Sequence, residues 1–246
     1  MITAVVINSL FGCATLDSHQ APASPSGLQA TRFAVLLPNS LVPLPSELSG
    51  ATDRVLGQIT RYLAAQGRER HVIEAPEARS LWLASTAEAD QSDTVSHDFY
   101  GAMKIFARKL GEMAAFDALV VPSLVYRDGR LANRVVKWDG VVRRLPRVGQ
   151  GEDLGRRAGP KPIPPSLEVS VPVVSLHVMV FDANGELDFE NYGGVDLAHS
   201  FSLDPEDGAQ LQAELRDPVL AKRSFLREGV EIAFDPYLPR DRVGKW

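Results

Sequence analysis

One cysteine, Cys13, is present among 246 residues. A single thiol closes no intrachain disulfide and builds no metal site by itself. The histidines, His19, His71, His97, His177 and His199, stand far apart and include no HExxH, so no local metal-ligand spacing exists and no metal is expected. Basic charge is not in excess: the formal net charge is -5 and the pI about 5.6. General nucleic-acid binding is therefore not expected, because neutralising phosphates needs a dense basic surface. No apolar run approaches the ~20 residues of a spanning helix. The glycine-rich stretch Gly149-Gln150-Gly151-Glu152-Asp153-Leu154-Gly155 has the wrong third spacing for a dinucleotide fingerprint and runs on into prolines, so no nucleotide cofactor is expected. No G-x-S-x-G elbow presents a serine. What remains is ordinary globular material, 45% hydrophobic and 23% charged, in a chain long enough to bury a core without staples.

The position of the cysteine says more than its number. Met1 to Gly12 is a short apolar stretch of signal-core length. Its end, Leu10-Phe11-Gly12-Cys13, resembles the lipobox of bacterial lipoproteins, which implies lipidation at Cys13. Residues 14–31, rich in Ala, Ser, Pro and Gln, cannot bury a core and read as a flexible tether. Ala14 follows the cysteine in place of the Asp that resembles an inner-membrane retention signal, so the resemblance implies the periplasmic face of the outer membrane. The alternative is a buried N-terminal strand, Ala4 to Ile7.

Beyond residue 31 the pattern predicts one α/β domain over 32–240. Phe33 to Leu37 suits a buried strand closed by Pro38. Asn39 to Ser49 reads as a loop. Thr52 is expected to cap a helix to Gln66, with Val55, Leu56, Ile59 and Leu63 on one face. His71 to Ala75 suits a strand, Glu77 to Ala84 a short helix, and Thr86 to Asp93 a solvated loop. Ser96 is expected to cap a second long helix carrying Phe99, Met103, Phe106, Leu110 and Met113. Phe116 to Val121 is a continuous apolar run, as in a central strand covered on both faces. Tyr126 to Arg130 reads as a turn, Val135 to Leu145 as β-rich, and 148–165 as a long exposed loop. Leu167 to Phe181 and Glu186 to Tyr192 are strands joined at Asp182-Ala183-Asn184-Gly185, with a bulge at Gly193-Gly194 before Val195 to Phe201. Asp217-Pro218 is expected to open a last helix that Asp235-Pro236 ends. Helices joining the first strands require parallel pairing, and hairpins joining the later ones require an antiparallel meander. The predicted fold class is thus α/β, with one mixed sheet and helices packed on it.

The order of these elements, with the "Phe116-Asp117-Ala118-Leu119-Val120-Val121" strand after a helix and the "Phe181-Asp182-Ala183-Asn184-Gly185" hairpin, is similar to a periplasmic α/β domain. That domain is shared by the TolB amino-terminal domain, the curli secretion lipoprotein and the lipoprotein activators of penicillin-binding proteins. The resemblance covers about residues 32–238 and implies an accessory role in a cell-envelope assembly. The channel-forming hairpins of the curli protein have no counterpart here, so pore formation is not implied.

Candidate chemistry is sparse. Glu186, Asp188 and Glu190 alternate along one strand, which suits the solvated side of a strand better than acid–base work. His177, inside a strand run, reads as a structural histidine. His199-Ser200 with Asp196 or Asp204 would be the nucleophile, base and orienter of a periplasmic hydrolase. The segment richest in cations holds Arg130, Arg134, Lys137, Arg143 and Arg144 around Trp138. A basic aromatic surface of this kind suits an acidic partner protein or anionic headgroups. The reading that follows is a non-enzymatic, lipid-anchored binding component with an envelope protein as partner and no catalytic residue. A hydrolase, or a lipid or glycan carrier with an apolar cavity between sheet and helices, are the alternatives.

Overall fold

The computed structural model describes residues 29–92, 95, 96, 98–145, 168–203, 211–216 and 220–239. Cys13, the tether and the loop at 148–165 lie outside these residues. Among the described residues no helix is long and apolar enough to cross a membrane.

The fold is built on one long strand. β1 (Arg32–Leu36) leads through a 3-10 turn (Ser46–Ala51) into α1 (Thr52–Ala65), then β2 (Glu69–Ile73), α2 (Ala75–Asp90), α3 (Phe99–Met113) and β3 (Ala118–Ala132). β1 pairs in parallel with both β2 and β3. β4 (Val135–Trp138), β5 (Val141–Arg144), β6 (Glu168–Asp182) and β7 (Leu187–Asp196) complete the sheet with antiparallel pairs. β8 (His199–Leu203) and β9 (Leu211–Leu215) form a separate two-stranded sheet, and α4 (Arg223–Phe234) is the last described element. The α/β class and the mixed sheet with its parallel first part are as the sequence predicts.

β3 has β6 along the whole of one edge, from Ala118↔Asp182 to Ala132↔Glu168. Its other edge is shared: β1 pairs at Ala118 to Val120, and β4 at Arg130 to Ala132. Asn39 fills part of the gap between them. Its N–H donates to the Pro122 carbonyl (3.0 Å), and its Oδ1 accepts from the Leu124 N–H (2.8 Å). Pro122 is tolerated in mid-strand because its missing N–H falls on this vacated edge.

Two helix layers clothe the sheet. Val55, Ile59 and Leu63 of α1 and Leu226, Val230 and Phe234 of α4 pack on Phe33, Val35, Val120, Leu176 and Val178. On the other face Met103, Phe106 and Leu110 of α3 and Ala78 of α2 pack on Leu36, Leu119, Val121 and Phe181. Phe106 and Leu119 are both fully buried, as expected. α1 is also tied to the end of the described chain: the Tyr62 hydroxyl donates to the Leu238 carbonyl (2.5 Å), and Gln66 Nε2 to the Pro239 carbonyl (3.1 Å). α4 touches β7 almost backbone to backbone. A Cβ on Gly193 would lie 2.0 Å from the Gly229 carbonyl oxygen.

Several expected elements are corrected. α2 continues through Thr86 to Asp90, where a loop is predicted. The reason is tertiary: Glu88 accepts from Arg108 and Lys109 of α3. Thr52 is not a cap, because the 3-10 turn runs straight into α1. Asp98, not Ser96, caps α3, accepting from the Gly101 N–H. Tyr126 to Arg130 is strand, not turn. Gly129 is required there for close packing, since a Cβ would stand 2.5 Å from Val173 and 2.8 Å from Val136. The last helix begins at Arg223, not at Pro218, and β9 has no counterpart in the sequence reading. The hairpin at Asp182 holds, with Asp182 Oδ1 accepting from the N–H groups of Asn184 and Glu186. So does the bulge beside Gly194.

Candidate functional site

Strand period decides what becomes of the basic segment. Side chains alternate between faces, and burial along β4 and β5 alternates with them. Arg130, Lys137 and Arg144 are exposed on the outer face of the β3–β4–β5 meander. Trp138 and Arg143 point the other way and are buried, at 7% and 8% exposure. Both are thus buried rather than standing on an exposed surface as expected. Trp138 Nε1 donates to the Val174 carbonyl (3.3 Å). Arg130 is paired with Glu168. Arg134 sits in the β3–β4 turn at φ 61 and reaches the Leu145 carbonyl (3.5 Å). The basic run thus divides into a buried Arg143 and an exposed rim, of which Arg130 is paired.

The inner face of β5 opens onto a cleft of about 410 Å3, within the ~300–1,000 Å3 usual for binding sites. β5 forms one wall. The segment from Asp196 to Phe201 forms the second, and Arg216 with Lys222 and Phe225 at the start of α4 complete it. Leu145, Leu197, Phe201 and Phe225 supply its apolar surface, and Arg143, Arg144, Arg216 and Lys222 its charge.

These cations are unequally occupied. Arg143 pairs with Glu228 (2.9 Å), donates to the Val195 carbonyl (3.3 Å) and lies over the Phe225 ring at 3.9 Å. Its Nε is buried without a partner. Arg216 serves Asp196 and the Leu197 carbonyl, both at 3.1 Å and both through Nη1. Asp196, 2% exposed, also accepts from the Leu197 N–H. Arg144 and Lys222 have no carboxylate partner among the described residues.

Asp196, His199 and Ser200 all line this cleft, but they form no relay. Asp196 is held by Arg216, and Ser200 Oγ donates to the Glu214 carbonyl (3.3 Å). His199 Nδ1 is buried without a partner. A base that touches neither its serine nor its orienter lacks the geometry of a nucleophilic triad. Asp204 lies outside the described residues. Nor is the cleft placed where a lipid or glycan carrier is expected to be hollow: it lies at the end of the sheet, while core side chains fill the space between sheet and helices.

A second polar cluster lies on the sheet face beyond α3. Ser175 Oγ donates to Asp139 (2.6 Å), which also pairs with Arg127 (3.3 Å). Arg127 lies 4.1 Å from the centre of the Tyr192 ring, against which His177 stacks at 4.3 Å. His177 meets Glu190 at 2.7 Å. Burial pushes the His177 pKa down, and Glu190 opposes that shift. Glu190 and Glu186, expected on one solvated face, go to different partners, His177 and Lys104. Among the described residues no three His, Cys, Asp or Glu side chains converge to hold a metal ion.

Sequence reasoning found Arg144 and His199, but not Arg216, Lys222 and Phe225. Those three come from a part of the chain far from β5, and no local pattern links them to it. Comparison with protein families gives no matching family model, and comparison with curated proteins gives no significant sequence match.

Proposed function

We propose that the protein is a non-enzymatic accessory or binding component of a cell-envelope assembly. In this reading it is held by lipid on Cys13 at the periplasmic face of the outer membrane and meets an acidic partner protein at the cleft. The observation that carries the contact site is the imbalance there: Arg144 and Lys222 stand at an apolar cleft without a carboxylate partner among the described residues. Charges so placed steer an acidic partner and fix its orientation. The support for the anchor is Leu10-Phe11-Gly12-Cys13 and the tether after it.

Crosslinking in intact cells tests the reading. The wild-type chain is expected to capture a defined envelope protein, with capture falling as salt rises. Arg144→Glu with Lys222→Glu is expected to abolish it. Cys13→Ala is expected to move the protein to the soluble fraction. Equal capture by wild type and double variant, at low and high salt, overturns the contact site. An equally soluble wild type overturns the anchor.

A further inference from the structure

We infer that the cleft recognises an extended, acidic–apolar segment of its partner by strand addition to the free edge of β5; this rests on the binding role proposed above. β5 ends its row, since the strand order is β2-β1-β3-β4-β5. The two-residue turn Asp139-Gly140 sets the ladder with Trp138↔Val141 and Val136↔Arg143 in register. Beyond it the Leu145 N–H donates to the Arg134 carbonyl (2.9 Å). In an antiparallel pair alternate residues turn their backbone groups towards the partner strand. Val141, Arg143 and Leu145 therefore face β4, and the N–H and C=O groups of Val142 and Arg144 face away from it. No other strand of the described residues pairs with that edge.

An open edge is normally blunted by charge, proline, a bulge or a cover. This edge carries one such charge, Arg144, beside Val142, which is 58% exposed, and it lines the cleft. A peptide laid along it alternates its side chains between two faces, as β5 does. One set would stand beside Arg144 on the outer face, where carboxylates complement the charge. The other would turn inward to Leu145, Leu197, Phe201 and Phe225. Backbone bonds supply affinity, and the alternation supplies specificity, as in other strand-addition sites.

The test uses the full chain and a fluorescent peptide alternating glutamate with valine. Binding is expected, and it is expected to weaken with salt. Methylating alternate backbone nitrogens of the peptide removes the donors of the added strand and is expected to cost about tenfold or more in affinity. Val142→Pro removes the outward N–H of β5 at a position where an edge strand tolerates proline, and is expected to cost as much with an unchanged melting temperature. The methylated peptide needs no variant, so the test survives a Val142→Pro chain that fails to fold. Equal binding of plain and methylated peptides overturns strand addition. So does decanoate binding that displaces the peptide while Val142→Pro has no effect, which would make the cleft a site for small amphiphilic anions. If Arg144→Glu with Lys222→Glu loses the cellular partner while Val142→Pro keeps it, the charged contact stands and strand addition falls.

Discussion

The two ends of the sheet are finished differently. Around β1 and the start of β3, helices cover both faces and the apolar groups there contact one another, while the outer strand β2 shows Glu69, Arg70 and His71 to solvent. Around β4, β5, β8 and the far ends of β3 and β6, α4 reaches in through Ile232, and the strands enclose a smaller core of their own. Both β2 and β5 end the row, and among the described residues the edge of β5 lies at an apolar cleft with two cations beside it. The comparison sets the larger cores apart from the end that, under the proposed function, makes the contact. Substitutions in the first should unfold the protein, and substitutions in the second should mostly change what it binds.

The largest effect is expected at the covered end. Phe106→Ala empties a site between α3 and the sheet, and should cost about 3–5 kcal/mol in denaturant unfolding. A loss no larger than that of the cleft variants would break the comparison. Arg143→Ala comes next. It removes a buried guanidinium paired to a half-exposed carboxylate and lying over a ring, and should cost about 1–3 kcal/mol. Because Glu228 is half exposed, water can take over the abandoned carboxylate.

Acid sharpens the comparison further, in two stages. Burial depresses the His177 pKa in the folded protein, so the unfolded chain takes up protons that the folded one refuses. Stability is then complete above about pH 6.5 and falls as pH drops below it. A urea midpoint that stays level from pH 7 to about pH 5.5 in wild type would contradict this; His177→Asn should level it. At lower pH the covered end responds. Asp117 accepts from the Arg32 side chain and from the N–H groups of Arg32 and Thr31, which hold its carboxyl well below the usual carboxylate range. Its contribution is present above about pH 4 and is lost as pH falls further. Asp117→Asn should remove that second step. The smallest effect on stability is expected at the rim, where Arg144→Glu should shift unfolding by less than about 0.5 kcal/mol while it weakens partner capture.

What the sequence made legible follows from how local each signal is. α1, α3, the apolar start of β3 and the Asp182 hairpin carry their periodicity or turn residues within a few positions. α2 reads as too short because its last turn is acidic, and its salt bridges come from α3. Gly129 reads as a turn residue because the close approach of Val173 and Val136 has no trace in its neighbours. The site was half legible for the same reason. Arg143 and Arg144 are adjacent in sequence, and the alternation of one strand makes the first a buried pair member and the second a rim cation. Their environment includes Phe225 and Lys222, which tertiary folding brings from the far end of the domain.

The bond from Tyr62 to the Leu238 carbonyl spans 176 positions. During synthesis α1 and the strands it packs on are made first, while the last part of that core, Phe234, Tyr237 and Leu238, emerges near the end of the domain. A nascent chain that has reached β6 still lacks Phe234, Tyr237 and Leu238, all buried in the finished core. Completion of the domain is therefore deferred until most of its residues exist, and a chain cut short before residue 238 lacks the carbonyl that Tyr62 bonds and part of the core beside α1.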